Sequence, residues 1–174
     1  MSLDVYLIST EPIIREQSSG IFIRENGATK EISVEEWNKK HPDTDPVYLP
    51  NYMTAEVETN EVYSANITHN LGTMAGEAGL YEVLWRPHRL KEGYNISNDD
   101  YKAECKFEDE NIIIAKELIE PLREGLHKLK LDPDKYKAFN PDNGWGDYDG
   151  LVNFVEKYLN ACYKYPNATV NTDR

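Results

Sequence analysis

The most informative stretch of this chain is Asn140-Pro-Asp-Asn-Gly-Trp-Gly-Asp-Tyr-Asp-Gly150, followed by LVNFVEKYLNAC at residues 151–162. In the second part the apolar residues recur with the spacing of one helix face: Leu151, Phe154, Val155, Tyr158, Leu159 and Cys162. This spacing predicts a helix that buries the face in a core. Asp147 or Asp149 is expected to cap its start, and Pro166 is expected to stop it.

Short strands are predicted upstream of this helix and just after it. They are expected at residues 3–8, 21–23, 29–33, 47–49, 61–67 and 168–171. Asn26-Gly27 lies between two apolar runs, which predicts a tight hairpin. Ser33, with Glu36 three residues later, predicts a capped helix that His41 and Pro42 end.

Further helices are predicted in the second half of the chain. Thr68 is a candidate N-cap for a helix over residues 69–77 that Gly79 closes, and residues 81–85 add a short helical turn. Residues 115–130 place leucines on one face, although Pro121 kinks this helix or divides it. Asp132-Pro133 begins another turn.

The order of these elements predicts the fold class. Strands and helices do not alternate regularly, which favours α+β over a doubly wound fold. We expect a single compact domain over residues 1–174, with a small mixed or antiparallel sheet packed against several short-to-medium helices. Residues 91–110 are polar and are predicted to be a solvated excursion.

Charge and composition narrow the possible partners. Acidic residues outnumber basic ones 31 to 19, for a net charge of -12. This balance argues against nucleic acid and an anionic membrane as partners, although it permits an acidic mimic of nucleic acid. No apolar run approaches the roughly 20 residues of a membrane span, and the first residues lack a signal peptide. With only Cys105 and Cys162, a disulfide framework is not expected, and the predicted location is cytoplasmic.

No established catalytic motif is present. The four histidines are not at metal-ligand spacing. Asp142, Asp147 and Asp149 depart from the calcium-loop pattern, so capping by Asp147 or Asp149 is preferred over a calcium site. Gly-x-Ser-x-Gly, Cys-His and phosphate-cradling glycine motifs are absent from the sequence. We therefore predict no catalytic residue, no metal and no cofactor. His127, on a charged helix, is expected at the surface.

Asn66, His69 and Asn70 form the first candidate binding cluster. They lie at a predicted strand-to-helix junction, where unpaired backbone N–H groups and the helix dipole favour an anion or a carbonyl. The alternative is that Thr68 caps the helix and its neighbours satisfy the remaining backbone groups.

The second candidate cluster is the 140–150 loop, and Trp85-Arg86 supplies two further candidate residues. Trp85 and Arg86 are expected to stack on a base and hold a phosphate, while Asn143, Trp145 and Tyr148 form the opposite wall. The alternatives are a core tryptophan beside an arginine paired to an acid, and a loop that only starts a helix.

Three segments are similar to small uncharacterised proteins encoded by phages and prophages. They are the start, MSLDVYL, the block NITHNLGTMAGEAGLYEVLWRP at 66–87, and the block beginning FNPDNGWGDY at 139 and ending ACYKYP at 166. The resemblance covers about the first ten residues and most of 61–174. Residues 20–46, a predicted hairpin and helix, look like an insertion. The resemblance implies an accessory role, often directed against host defence, and no site residues.

These observations lead to three functional hypotheses. The first is a binding protein that sequesters a small polar ligand, a nucleotide-derived defence signal. The second is an acidic interaction protein that inhibits a host nucleic-acid-binding or defence enzyme, with a complex that salt weakens. The third is an enzyme that degrades the nucleotide signal, with His69 as general acid or base. A homo-oligomer is compatible with all three.

Overall fold

The computed structural model describes residues 2–16, 19–25, 28–48 and 56–174. Its helices and strands confirm the predicted α+β class, with a small antiparallel sheet and several helices. In chain order they are β1 (Ser2–Glu16), β2 (Phe22–Glu25), β3 (Ala28–Glu31), α1 (Val34–Lys40), β4 (Glu56–Thr68), α2 (Gly72–Glu77), α3 (Tyr81–Trp85), α4 (Tyr101–Glu110), α5 (Ala115–Leu131), α6 (Pro133–Lys137), α7 (Tyr148–Lys164) and β5 (Thr169–Asp173). Two 3-10 helices, His69–Leu71 and Pro87–Leu90, connect some of them.

The chain divides into two compact units. The larger comprises Met1–Glu11 and Asn60–Arg174, and the smaller comprises Pro12–Thr59. The predicted insertion at residues 20–46 falls within the smaller unit and stays a prediction. All the candidate site residues belong to the larger unit.

The larger unit is built on a three-stranded sheet in the order β4-β1-β5. Strand β1 alternates, so that Leu3, Val5 and Leu7 are fully buried on one face. Strand β5 pairs antiparallel with β1, with Leu7 opposite Val170 and Asp4 opposite Asp173. The register therefore directs apolar side chains to the core face and places both aspartates on the opposite face.

Helices cover the core face of this sheet. The predicted face of α7 is buried, and α5 packs mainly against α7. Helix α5 is continuous across Pro121, so the predicted division at that residue is wrong. Proline removes one hydrogen bond to the Glu117 carbonyl, but burial of Leu118 and Leu122 on either side holds the helix together.

The smaller unit contains the predicted hairpin and capped helix. Strands β2 and β3 pair antiparallel, while the predicted Asn26-Gly27 turn lies outside the described residues. The Ser33 hydroxyl accepts from the Glu36 backbone N–H at 3.1 Å, which confirms the cap of α1. The strand predicted at 47–49 is not formed at Val47, whose backbone N–H and carbonyl bond the Asn38 side chain instead; position 49 lies outside the described residues.

The prediction of a solvated excursion over residues 91–110 is wrong for its second half. Its second half forms α4, which Asp100 caps by accepting from the Ala103 N–H at 3.0 Å. The buried residue of α4 is the charged Glu104, so the spacing of apolar residues could not predict this helix. Across the described part of the chain, none of the helices has the length and apolar character needed to cross a membrane.

Candidate functional site

The junction between β4 and the first 3-10 helix forms one wall of the candidate site. Strand β4 ends at Thr68, whose hydroxyl accepts from the Asn70 backbone N–H at 3.3 Å. This bond confirms Thr68 as the predicted N-cap. Because neighbouring strand residues face opposite sides, Ile67 is buried while Asn66 is exposed.

The loop before α7 forms the other wall. Asn143 accepts from the Trp145 backbone N–H at 2.9 Å, and Asn140 accepts from the Tyr148 N–H at 2.7 Å. Asp147 caps α7 by accepting from the Gly150 N–H at 2.7 Å, which settles the choice between the two aspartates. These side-chain-to-backbone bonds give the loop a defined shape.

Gly146 brings the two walls together. It has φ = 90°, and a Cβ there would lie 2.7 Å from Thr68 Cγ2 and 3.0 Å from Leu71 side-chain carbons. Only glycine accepts both that conformation and that contact without displacement. On the same side, Asn70 Nδ2 donates to the Trp145 carbonyl over 3.5 Å.

An open cavity of about 570 Å³ lies between these walls. Its lining is Ser2, Asn66, Thr68, His69, Asn70 and Trp145. The structure therefore brings together four of the eight predicted binding residues, drawn from segments that are 75 positions apart in the sequence. The volume lies within the usual range of small-molecule sites, about 300–1,000 Å³.

Several polar groups that line the cavity have donors or acceptors without a hydrogen-bond partner among the described residues. Asn66 Nδ2 donates to Asp4 Oδ1 at 2.7 Å, and this acceptor-only partner fixes the orientation of the amide. No bond from a described residue uses the side-chain oxygen of Asn66 or Asn70. His69 Nδ1 is buried and has no hydrogen-bond partner in the described part of the chain.

Trp145 supplies an aromatic surface to this cavity. Its side chain is 70% exposed, although the residue's backbone is held by Asn143 and Asn70. A large ring kept in the open by a fixed backbone can stack on a planar ligand. The cavity thus combines an aromatic face with two amides, two hydroxyls and an imidazole.

Trp85 lies elsewhere, in the core. It is 1% exposed and stacks on Tyr81 with ring centroids 5.3 Å apart, while the His69 ring lies 5.7 Å away. A ring buried in this way has no face available for a base. The alternative weighed from the sequence, a core tryptophan, describes its position.

Arg86 is also committed within the protein. Its Nη1 lies 2.7 Å from Glu104 Oε2, while His88 Nε2 and Arg89 Nε lie 2.9 and 2.7 Å from Oε1. The hydrogen bond from Arg89 is the largest of the effects that hold the pKa of Glu104 far below its usual range, against the opposing effect of burial. Arg86, whose side chain is 26% exposed, is therefore paired with the buried Glu104 carboxylate and does not line the cavity.

Asn143 and Tyr148 shape the loop without lining the cavity. Asn143 bonds the Trp145 backbone, as described above. Tyr148 is buried, and its hydroxyl donates to the Leu129 carbonyl at 3.1 Å. Both residues act on the site through Trp145 and the start of α7.

Two lining residues and one cluster were missed in the sequence. Ser2 joins the lining because β1 runs beside β4, which no local pattern shows. Thr68 was identified only as a cap. The Glu104 cluster has a local signal, because Asp100 caps a segment with Glu104 and Phe107 at helical spacing.

Among the described residues, no group of three or more His, Cys, Asp or Glu side chains could hold a metal ion. His127 is exposed on α5, as predicted. Comparison with protein-family models, curated proteins and solved structures finds no match, and the cavity itself is therefore the basis for a functional proposal.

Proposed function

We propose that this protein binds and sequesters a small polar ligand in the cavity between β4 and the loop before α7. We take the ligand to be a nucleotide-derived signal and the setting to be the cytoplasm of a cell that a phage has infected. The observation that carries the proposal is the convergence of the two polar-aromatic segments on one cavity. The setting rests on the sequence resemblance alone.

The lining supports recognition of a ring with polar edges. The amides of Asn66 and Asn70 each offer an oxygen acceptor and one further N–H donor in one plane, and the Thr68 hydroxyl can donate while it accepts from Asn70. Trp145 offers a face for stacking. A few placed polar groups beside an aromatic side chain are typical of small-molecule sites.

Capture fits this lining better than turnover. His69 is the one titratable side chain among the described residues that line the cavity. An acid–base mechanism normally orients its histidine with a second group, whereas His69 Nδ1 is buried without a described partner. A neutral set of amides and hydroxyls can hold a ligand without reacting with it.

The test is a binding and release experiment. The purified protein is incubated with a panel of nucleosides, nucleotides, cyclic nucleotides and ADP-ribose derivatives, filtered, and then heated to release what it holds. We expect one class of compound to be depleted from the filtrate and recovered intact after heating. A compound recovered in altered form would indicate turnover and contradict sequestration.

Trp145→Ala tests whether the cavity is responsible. Because the ring is 70% exposed, its removal should leave the free energy of unfolding nearly unchanged. Loss of one stacking contact should weaken affinity roughly 5- to 150-fold. Tyr101→Ala is the matched control, since Tyr101 is 71% exposed on α4 and does not line the cavity. Equal affinity of both variants would show that the ligand does not bind against Trp145 in this cavity.

A further inference from the structure

We infer that the group entering this cavity is an uncharged planar ring with hydrogen-bond donors and acceptors on its edge, a nucleobase or nucleoside, and that any phosphate stays outside. This inference rests on the proposed function, because it names the ligand class of the same cavity. It is carried by three features: the charges beside the cavity, the fixed amide of Asn66 and the exposed ring of Trp145.

Negative charge borders the cavity on the sheet side. The Asp4 carboxylate accepts from the amide of Asn66, a lining residue, at 2.7 Å. Asp173 stands opposite Asp4 in the register of β1 and β5, on the same face of the sheet. A phosphate placed against Asn66 would approach these carboxylates and be repelled, and the net charge of -12 adds to this effect.

The one arginine predicted for the site, Arg86, does not line the cavity, so it does not offset this repulsion there. Arg86 is paired with Glu104 at 2.7 Å, and Glu104 also receives bonds from His88 and Arg89. Moving Arg86 to a ligand would leave the buried carboxylate with less compensation, at a large free-energy cost. The arginine is therefore held in the fold.

The amides instead match the edge of a neutral heterocycle. Asp4 accepts only, so Asn66 must turn its N–H₂ toward Asp4 and keep its oxygen for another donor. Asn70 carries a second amide, whose oxygen has no bond to a described residue. Asparagine amides pair with the adjacent donor and acceptor of a base edge, and an indole stacks on the face of any base.

The experiment compares each ribonucleoside with its own 5′-monophosphate by isothermal titration calorimetry at low salt. We expect the nucleoside that binds to do so at least tenfold more tightly than its monophosphate. The difference should narrow as ionic strength rises, because salt screens the repulsion. It should also narrow in Asp4→Asn, an isosteric variant that keeps an acceptor for Asn66, and not in Asp109→Asn, which removes an exposed carboxylate of α4 outside the lining.

The outcomes separate this inference from the proposed function. Monophosphates that bind as tightly as nucleosides, or more tightly, would overturn the neutral-ring inference and leave capture standing. A nucleoside preference that is unchanged both by salt and in Asp4→Asn would overturn the electrostatic explanation. If no nucleoside, nucleotide or other member of the broader panel binds, capture itself fails and the inference fails with it.

Discussion

Two polar clusters of this molecule differ in how many of their hydrogen-bonding groups already have a partner within the protein. Around Glu104, both carboxylate oxygens are engaged by Arg86, His88 and Arg89, and the residue is 3% exposed. In the cavity between β4 and the loop before α7, the side-chain oxygens of Asn66 and Asn70 accept no hydrogen bond from a described residue, and Trp145 is exposed. The first cluster is closed on itself, whereas the second is open to another molecule.

This difference separates structural from binding roles. A buried charge is tolerated only when partners compensate it. The Glu104 cluster therefore links α4 to the segment after α3, and removing one of its members should lower the free energy of unfolding substantially. Polar groups beside an open cavity are solvated until a ligand replaces the water, so they tolerate substitution. Trp85 and Arg86 are neighbours in the sequence and were both predicted to bind ligand, but Trp85 lies in the core and Arg86 pairs with Glu104.

The largest expected effect comes from opening the closed cluster. Glu104→Ala leaves two guanidinium groups and an imidazole without their shared acceptor, and it should lower the free energy of unfolding by about 3–5 kcal/mol. Urea denaturation followed by circular dichroism measures this change. Glu120→Ala removes an exposed partner of Arg123 and should change little. Similar losses in both variants would show that the buried cluster is not special.

The same carboxylate should make stability depend on pH. Its pKa is lowered in the folded protein, chiefly by the hydrogen bond from Arg89, so its contribution is present above the unfolded pKa of about 4.3 and declines as pH falls toward the folded value. The difference in unfolding free energy between the wild type and Glu104→Gln should shrink below about pH 4. Denaturation curves from pH 3 to 7 measure it. A difference that grows on acidification would contradict the assignment.

A smaller effect is expected where the two walls of the cavity meet. Gly146→Ala combines φ = 90° with a Cβ 2.7 Å from Thr68 Cγ2, and it should cost about 1–3 kcal/mol and weaken ligand binding. Gly144→Ala is the matched control, since φ is 69° but no heavy atom lies within 4 Å of the added carbon. Unfolding and binding are measured on both variants. If they behave alike, the close approach does not hold the cavity together.

The smallest effects distinguish satisfied from unsatisfied buried hydroxyls. Tyr148→Phe removes the hydrogen bond to the Leu129 carbonyl and should cost about 1 kcal/mol. Tyr158→Phe removes a buried hydroxyl that has no partner in the described residues, so stability should stay the same or rise. Thermal and urea unfolding compare the two variants. A larger loss for Tyr158→Phe would indicate that its hydroxyl is engaged in solution.

Local patterns predicted the elements whose signals are contained in a few neighbouring residues. The caps at Ser33 and Thr68, a cap of α7 at Asp147 or Asp149, and the helical spacing of α7 were predicted because each depends on contacts within one or two turns. Helix α4 was missed because its buried residue is Glu104, and a charged side chain is expected to be exposed. Its burial depends on Arg86, His88 and Arg89, which lie 15 to 18 positions earlier in the sequence.

The fold class, most helices and the two segments that supply most of the candidate site could be predicted from the sequence alone. Those properties follow from local spacing, capping and turn chemistry. Which residues of those segments meet in space depends on how the chain packs in three dimensions. The close contact of Gly146 with Thr68 joins the two walls of the cavity, while Arg86 pairs with Glu104 and does not line it. Such contacts join distant parts of the chain, and their energies depend on burial and geometry that a linear pattern does not contain.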